Sequence, residues 1–323
     1  MAKVQNRSTK NDPILTDIPM ACADEQSAVV FLEKQRWGSQ PCCPQCGSVD
    51  VYQMQNSKTG ERQANNRWRC RDCKSQYTVR TGTVFEDSRI PLRHWCFAFW
   101  RASTSKKGVS ALEIHRQTGV SYKSCLFMLN RIRFAMSDSA PAPLGPGGGD
   151  VEVDETYVGG KPRHKGVSKR GRGTKKQPVL AMVERGGSVK TMPVANVTGK
   201  TLKTAIRENV HADARIITDE NSAYTGIGAE YKGGHETVTH SAREYVRGDV
   251  HSNTIEGFFS IVKRGINGIY HAVSKEHLHR YLAEYEFRYN HRFLDDGPRT
   301  VAAIKAAEGN RLTYSASVRQ PKG

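Results

Sequence analysis

The clearest apolar pattern in the chain lies in "HSNTIEGFFSIVKRG", residues 251–265. Its apolar residues, together with Ile266 just past its end, recur at i, i+3, i+4, i+7 and i+11, the spacing of one buried helix face: Ile255, Phe258, Phe259, Val262 and Ile266. The opposite face holds Asn253, Glu256, Ser260 and Lys263. The pattern predicts an amphipathic helix whose polar face carries one carboxylate flanked by an amide and a lysine.

Strand patterns precede this helix. In "GDVEVDETYVGGK" the alternation predicts a strand with two faces, Glu152, Asp154 and Thr156 on one and Val151, Val153 and Tyr157 on the other. Further strands are predicted at "QPVLAMVER" and "SVKTMPVANV", followed by a helix near "GKTLKTAIRENV". These segments predict a domain of the α/β class.

A fourth strand is predicted in "ARIITDENSAY", where the apolar run "RIIT" is typical of a strand buried inside a sheet. Asp219 stands at the exit of this strand, and "HETVTHSA" is a candidate fifth strand. An aspartate within the first strand, an aspartate ending the fourth and a glutamate on the later helix can converge at one edge of such a sheet. A final core helix is predicted within residues 274–292.

The N-terminal part carries two C-x-x-C pairs, Cys43 with Cys46 and Cys70 with Cys73, separated by 23 residues. Four thiolates on two tight turns can close a tetrahedral Zn²⁺ site, and a site filled by four protein ligands is structural. Cys42 is an alternative to Cys43, but the two-residue gap favours Cys43. The sequence therefore predicts a zinc ribbon at about residues 40–80.

After the ribbon, "SALEIHRQTGVSYKSCLFMLNRIRFAM" predicts a helix from Ser110 to Gln117, a turn at 118–120 and a second helix capped by Ser121. These are the proportions of a helix-turn-helix, although a plain helical hairpin has the same spacing. The second helix carries the basic residues Lys123, Arg131 and Arg133. Its place beside a zinc ribbon favours DNA binding, with these three residues as contacts.

Composition supports a polyanionic partner. Lysine and arginine number 49 against 32 acidic residues, which gives a net charge of +17 and a pI near 9.6. Such an excess is typical of nucleic-acid binding but also serves solubility. The chain shows neither an apolar run of about 20 residues nor a signal-peptide pattern, so we expect a cytoplasmic protein, associated with the nucleoid through DNA, that has no membrane partner.

One segment, "KPRHKGVSKRGRGTKK" at 161–176, holds eight lysines and arginines and no acid. It is either a solvated loop tip or a contact to a phosphate backbone, and the sequence favours the contact. We take Lys169, Arg170 and Arg172 as its representative DNA-binding residues.

Convergent carboxylates in a basic protein have a chemical use. They hold Mg²⁺ (or Mn²⁺), which prefers hard oxygen ligands and assists phosphodiester cleavage. A single aspartate at a strand end is usually a turn residue, so only the combination of Asp154, Asp219 and Glu256 carries weight.

"VEVDETYVGGK", "TDENSAY" and "HSNTIEGFFSIVKRGINGIYH", behind "CPQCG" and "WRCRDC", resemble the zinc-ribbon DDE transposases of bacterial insertion sequences, specifically the insertion-sequence 1595 family. The resemblance runs from about Ser27 to Arg292. It implies a ribonuclease-H-like mixed sheet with helices, a divalent metal, and cut-and-join chemistry on double-stranded DNA, both the terminal inverted repeats and the target.

Carried over residue by residue, the resemblance assigns Asp154 and Asp219 as the first two catalytic acids and Mg²⁺ ligands. The third position is Glu256 or Asn253, one turn apart; we expect Glu256 to bind metal and Asn253 to be auxiliary. Lys263 then stands at the spacing of a DNA-contacting basic residue. A homo-oligomer on DNA is expected, and no nucleotide cofactor, because strand transfer replaces one phosphodiester by another and no Walker-type loop is present.

The predicted organisation is an N-terminal region at 1–90, a helix-turn-helix-like segment at 91–138, a Pro/Gly linker at 139–149, a catalytic domain at 150–310 and a basic tail at 311–323. Two alternatives stay open. One is a zinc-ribbon and helix-turn-helix DNA-binding protein without catalysis, and the other is a ribonuclease-H-like nuclease that cuts without joining.

Overall fold

The computed structural model describes residues 12–137, 142–159, 176–239 and 246–312. The chain divides into two compact units. The first comprises Met1–Ser105, Val109–Met136 and Phe293–Gly323, and the second comprises Lys106–Gly108 and Ser137–Arg292. The described residues form a mixed α/β architecture, which confirms the predicted class and is consistent with a ribonuclease-H-like fold.

Helices α1 (Pro13–Ala23), α2 (Glu25–Trp37), α3 (Leu92–Thr104) and α9 (Asp296–Lys305) form the core of the first unit. Asp24 caps α2 by accepting the N–H of Ser27 at 2.9 Å. The fully buried side chains of Trp95 and Phe99 lie one turn apart on α3, the helix that contacts α1, α2 and α9. A shared apolar core therefore holds α9 to helices that are distant in sequence.

The ribbon of the first unit is an antiparallel sheet of β1 (Val51–Gln53), β2 (Trp68–Cys70) and β3 (Gln76–Tyr77), in that order. Trp37, the last residue of α2, packs edge-on against Trp68 and Tyr77 with ring centroids 5.7 and 5.8 Å apart. Such aromatic pairs supply apolar contact area that strands of two or three residues cannot supply alone.

Two short helices follow the ribbon, α4 (Ala111–Thr118) and α5 (Tyr122–Ala135). Ser110 accepts the N–H of Glu113 and Ser121 accepts that of Ser124, so each hydroxyl caps a helix. Gly119, at φ +72°, ends α4 in the left-handed conformation. Both predicted helices and the turn between them are confirmed.

The second unit contains a five-stranded sheet in the order β6-β5-β4-β7-β8. The strands are β4 (Asp150–Val158), β5 (Gln177–Glu184), β6 (Val189–Pro193), β7 (Arg215–Asp219) and β8 (His235–Val238). β4 is antiparallel to β5 and parallel to β7, and β8 is parallel to β7. The strand rich in acids is therefore the central strand.

Each face of this sheet has its own apolar cluster. Val151 and Val153 pack with Leu202 and Ile206 of α6 (Gly199–Asn209). Val158, Val179 and Ala181 pack instead with α7 (Asn253–Gly265) and α8 (Leu278–Asn290). The predicted alternation of β4 is confirmed, and it decides that Asp154 belongs to the face covered by α7 and α8.

Two boundaries differ from the sequence prediction. Residues 150–310 were expected in one domain, but α9 belongs to the first unit, where the N–H of Val84 donates to Ala307.

The stretch at 139–149 is also more than a linker. Leu144 is buried and exchanges backbone hydrogen bonds with Asn209 and His211. Long-range pairing of this kind leaves no periodic signal in a Pro/Gly-rich stretch. Of the predicted basic tail, residues 313–323 lie outside the described range.

Candidate active site and zinc site

The four predicted cysteines form one cluster. The sulfurs of Cys43, Cys46, Cys70 and Cys73 all lie within 4.8 Å of one another. Cys43 Sγ is 3.6 Å from Cys73 Sγ, and Cys46 Sγ is 3.7 Å from Cys70 Sγ. Tetrahedral coordination with Zn–S bonds of about 2.3 Å requires sulfur separations of roughly 3.8 Å. The cluster therefore fits a structural Zn²⁺ ion, and it uses Cys43 rather than Cys42.

Tight turns present these sulfurs. In the first knuckle the N–H of Cys43 donates to Ser48 and that of Gly47 donates back to Cys43; in the second the N–H of Cys70 donates to Ser75. Gly47 adopts φ +75°, which explains the glycine after Cys46. Pairing of Val51 with Cys70 then sets the two knuckles side by side.

The two predicted catalytic aspartates lie on neighbouring parallel strands. The register pairs Glu152 of β4 with Ile217 of β7. Two residues further along each strand, Asp154 and Asp219 stand beside each other on the same face. Asp219 is the last residue of β7, so this pair lies where the strand ends and the chain leaves the sheet.

The electrostatics of the pair are those of crowded carboxylates. Burial raises the pKa of Asp154 to about 7, with further contributions from the negative charges of Glu155 and Asp219. Lys263 of α7 acts in the opposite direction, so its ammonium group lies near enough to influence this carboxyl. The position therefore favours any cation that can compensate two or three carboxylates.

Glu155 belongs to this acidic group, although the sequence analysis did not select it. Its Oε2 accepts the hydroxyl of Tyr224 at 2.5 Å, and its Oε1 accepts Nδ2 of Asn221 at 2.7 Å. The N–H of Asn221 also donates to Oδ1 of Asp219 at 3.1 Å. Asn221 thus links two of the acids. The available signal was the polar content of "DENSAY" directly after Asp219.

The third predicted acid lies on α7. Ile255, Phe258, Phe259 and Val262 are buried, whereas Asn253, Glu256 and Lys263 are exposed. Ser252 donates its hydroxyl to Oε1 of Glu256 at 2.9 Å. Within the described part of the chain, the four cysteines are the only group of three or more such ligands gathered within 4.8 Å. Asp154 and Asp219 lie near enough for the charge of Asp219 to raise the pKa of Asp154, but Glu256 does not complete with them a group of three ligand atoms within 4.8 Å.

The predicted DNA-contacting residues on α5 differ in their exposure to solvent. Lys123 is exposed in the first turn. Arg131 is only 6% exposed and its Nη1 donates to the carbonyl oxygens of Val84 and Glu86, while Arg133 is 2% exposed. Neither arginine presents its guanidinium to solvent, so the structure contradicts their prediction as phosphate contacts. The apolar face of α5 carries them inward, and Arg131 satisfies carbonyls there.

Lys169, Arg170 and Arg172 of the basic segment lie outside the described residues. Lys176, at its end, is exposed directly before β5. Among the described helices, none combines the length and apolar content that a membrane crossing requires.

Comparison with known proteins agrees with the order of these parts. A family model described as a transposase zinc-ribbon domain matches residues 23–76, and one described as an ISXO2-like transposase domain of the IS1595 type matches residues 147–290. An uncharacterized protein in transposable element ISH50 of Halobacterium salinarum is 30% identical over 277 residues, 82% of this chain and 90% of the relative. An uncharacterized transposase-like protein of Haemophilus influenzae is 32% identical over 103 residues, 32% of this chain and 80% of the relative.

Proposed function

Because the chain belongs to the zinc-ribbon IS1595 family of transposases, with DNA as its partner, we propose that it cuts the ends of its own insertion sequence and joins them to target DNA. A phosphodiester at each element end is hydrolysed, and the released 3′-hydroxyl attacks a phosphodiester of the target. Each joining step exchanges one phosphodiester for another, so it needs no nucleotide cofactor. A homo-oligomer would hold the two ends together.

The observation that carries this proposal is the acidic pair on β4 and β7. Asp154 and Asp219 lie side by side on the face that α7 covers, and their repulsion contributes to the raised pKa of Asp154. Neighbouring, partly buried carboxylates are costly unless a cation compensates them.

The donor set fits Mg²⁺ or Mn²⁺, because the site offers carboxylate oxygens and no sulfur. Asp154 and Asp219 would hold the ion, with Glu256 as the third ligand and Asn253 as an auxiliary group. When bound, such an ion polarises the phosphate and stabilises the leaving oxygen. The chain itself contributes the fixed acids, the hydrogen bonds from Asn221 that orient Asp219 and Glu155, and the positive charge of Lys263.

We favour Glu256 over Asn253 because an anionic oxygen compensates a divalent cation better than an amide. Glu256 is also the longer side chain, and it lies on the exposed face of α7 that carries Lys263. Oε1 of Glu256 now accepts the hydroxyl of Ser252, so a bound metal would compete with that hydrogen bond.

DNA contacts are proposed at two kinds of position. Lys263 lies close to Asp154 and would meet the phosphate that is cut. Lys123, exposed at the start of α5, and the basic segment 161–176 would contact the phosphates of the duplex. Phosphate contacts of this kind supply affinity without sequence information.

The test is strand transfer by the purified full chain. The substrates are duplexes carrying the terminal sequences that flank the gene, with a plasmid target and Mg²⁺ or Mn²⁺. The expected product is a covalent joint between an element end and the plasmid, formed only with the metal. Cleavage without joints would indicate a nuclease, and binding without cleavage would indicate a DNA-binding protein; either result would overturn the proposal.

A further inference from the structure

A fully buried carboxylate lies two residues before Asp154 on the same face of β4. Glu152 is 0% exposed. Its Oε2 accepts the backbone N–H of Ile255, in the first turn of α7, at 2.9 Å. Its Oε1 accepts Nε of Arg185 at 2.7 Å. One side chain thus joins the strand of the first acid to the helix of the third.

Helix α7 lacks a cap from its own sequence. Ser252 stands at the N-cap position but makes no side-chain bond to the helix backbone; its hydroxyl donates to Glu256 instead. The first N–H groups of a helix have no partner within the helix, and an unsatisfied one is costly when buried. Because Ile255 is fully buried, Glu152 supplies the acceptor that its N–H would otherwise lack.

Arg185, the residue after β5, holds the chain that leads into α7. This chain is a short hairpin of β9 (Val246–Arg247) and β10 (Val250–His251). The guanidinium donates to the carbonyl oxygens of Asp249 at 2.6 Å and His251 at 2.8 Å. It also pairs with Asp150 at 3.1 Å, at the start of β4. Arg185 therefore joins the β9–β10 hairpin, which leads into α7, to the start of β4.

We propose that Glu152 and Arg185 are positioning residues for the metal site. They fix the first turn of α7 relative to β4, and so fix Asn253 and Glu256 relative to Asp154. Glu256 directly follows the residue that Glu152 holds, and Asp154 is two residues from Glu152. The inference rests on the proposed function of the polar face of α7.

Stability and positioning can be separated here. A buried ion pair contributes little net stability compared with apolar residues of similar size, whereas removing one partner leaves a costly buried charge. Replacing both partners by methionine therefore keeps volume and removes the charge, but it also removes the acceptor for Ile255. A merely structural role predicts that a double variant that folds normally is fully active.

The experiment compares Glu152→Met/Arg185→Met with the unaltered full chain. The double variant should remain folded and bind end duplexes with unchanged Kd, although it should melt a few degrees below wild type because the N–H of Ile255 loses its acceptor. We expect kcat for cleavage to fall by about 10²-fold, because a small misplacement of a reacting group has an effect of that size. Amide hydrogen exchange in residues 253–258 should quicken by about tenfold, since the N–H of Ile255 loses its partner. Exchange in β5 should not change.

A matched control is Glu230→Gln. It breaks the exposed Arg207–Glu230 ion pair in the same unit, and kcat and exchange at 253–258 should both stay at wild-type values. If the double variant does not fold, Glu152→Gln decides the question. It keeps one acceptor oxygen, so a smaller loss of kcat with unchanged Kd supports the proposal.

Wild-type kcat together with unchanged exchange at 253–258, in whichever variant folds, overturns the positioning role. If the unaltered chain cleaves no DNA, the proposed function fails. The exchange comparison still decides whether Glu152 and Arg185 hold the first turn of α7.

Discussion

The zinc cluster and the acidic site are built over different distances along the chain. Cys43 and Cys73 meet across 30 residues, through two tight turns and one short sheet. The acidic site needs β4, β7 and α7, and the bond that joins its strand to its helix spans 103 residues. Local turns already gather four sulfurs within 4.8 Å, whereas the long-range site does not gather Asp154, Asp219 and Glu256 within that distance.

This difference reflects the energetics of each assembly. A C-x-x-C turn places two ligands with few backbone torsions to fix, so little depends on the remaining fold. The acids depend on the register between β4 and β7 and on the docking of α7, and their mutual repulsion opposes that assembly. We therefore expect the loss of zinc ligands to unfold the ribbon. The loss of an acid should instead abolish function while the fold persists.

The largest effect is expected from Cys70→Ser/Cys73→Ser. Zinc in a four-cysteine site contributes roughly 10–16 kcal/mol of binding free energy that is also folding free energy. The zinc content measured by elemental analysis should fall from about one zinc per chain to none, and the ribbon should lose its resistance to proteases. Cys42→Ser is the control and should keep its zinc, because Cys42 lies outside the cluster. An unchanged zinc content in the double variant would contradict the assignment.

The second effect is on cleavage. Asp154→Asn or Asp219→Asn should lower the rate by about 10³-fold, because a catalytic metal supplies several kcal/mol of transition-state stabilisation. Both variants should still fold and bind DNA. Asp213→Asn, which removes the partly exposed partner of the exposed Lys232, is the control and should cleave normally. Near-normal cleavage by both active-site variants would mean that these aspartates are not catalytic.

A third prediction ranks the two candidates on α7. Glu256→Gln, nearly isosteric, should lose cleavage as thoroughly as Asp154→Asn, since an amide cannot compensate the metal charge. Asn253→Ala should lose only about tenfold, as expected for an auxiliary hydrogen bond. Single-turnover cleavage rates measure the order. The reverse order would assign the third position to Asn253.

A fourth prediction concerns how repulsion between Asp154 and its acidic neighbours affects folding stability in metal-free buffer. Burial and neighbouring acids raise the pKa of Asp154 from 3.8 to about 7, so the folded state binds this proton more tightly than the unfolded state. The resulting stabilisation is complete below about pH 4 and is lost as pH rises through 7. At pH 8, Asp154→Asn should therefore be more stable than wild type by about 2 kcal/mol.

Denaturant titrations at pH 4.5 and pH 8 measure this difference, which should grow with pH. Asp213→Asn is again the control, because Lys232 lowers the pKa of Asp213 and the asparagine should not stabilise at pH 8. A stability difference independent of pH would show that Asp154 is not under electrostatic strain.

The smallest expected effect is on the salt dependence of DNA binding, because that dependence is shared among many phosphate contacts. Neutralising Lys165, Lys169, Arg170 and Arg172 should reduce the slope of log affinity against log salt by up to about 3 to 4, at near 0.9 per phosphate contact. Neutralising the exposed Lys34, which pairs with Asp17, should leave the slope unchanged. An unchanged slope in this variant would indicate that the segment is a solvated loop tip that makes no phosphate contact.

Much of the fold follows from patterns of short range. The period of α7, the alternation of β4 and the buried run of β7 each predict the observed element, and Ser110 and Ser121 mark helix starts that the structure confirms. Their common feature is that the determining residues lie within one or two turns, or a few strand positions, of one another.

Predictions that depended on a side chain's direction were weaker. Arg131 and Arg133 read as surface charges on a helix in a basic chain, yet both are buried. Charge type alone does not say which helix face packs. Glu155 was passed over for a similar reason, since only the fold brings Tyr224 and Asn221 to its carboxylate.

By itself, the sequence determined the four zinc ligands, helices α4 and α5, the order of strands β4 to β8 and helices α6 to α8, and the strands that carry Asp154 and Asp219. Tertiary structure alone decided that Leu144 is buried, that α9 joins the first unit and that Glu152 and Arg185 hold the start of α7. The reason is physical. Spacing and periodicity encode contacts between residues near in sequence, whereas partners 103 residues apart are selected by packing, register and the need to satisfy buried polar groups.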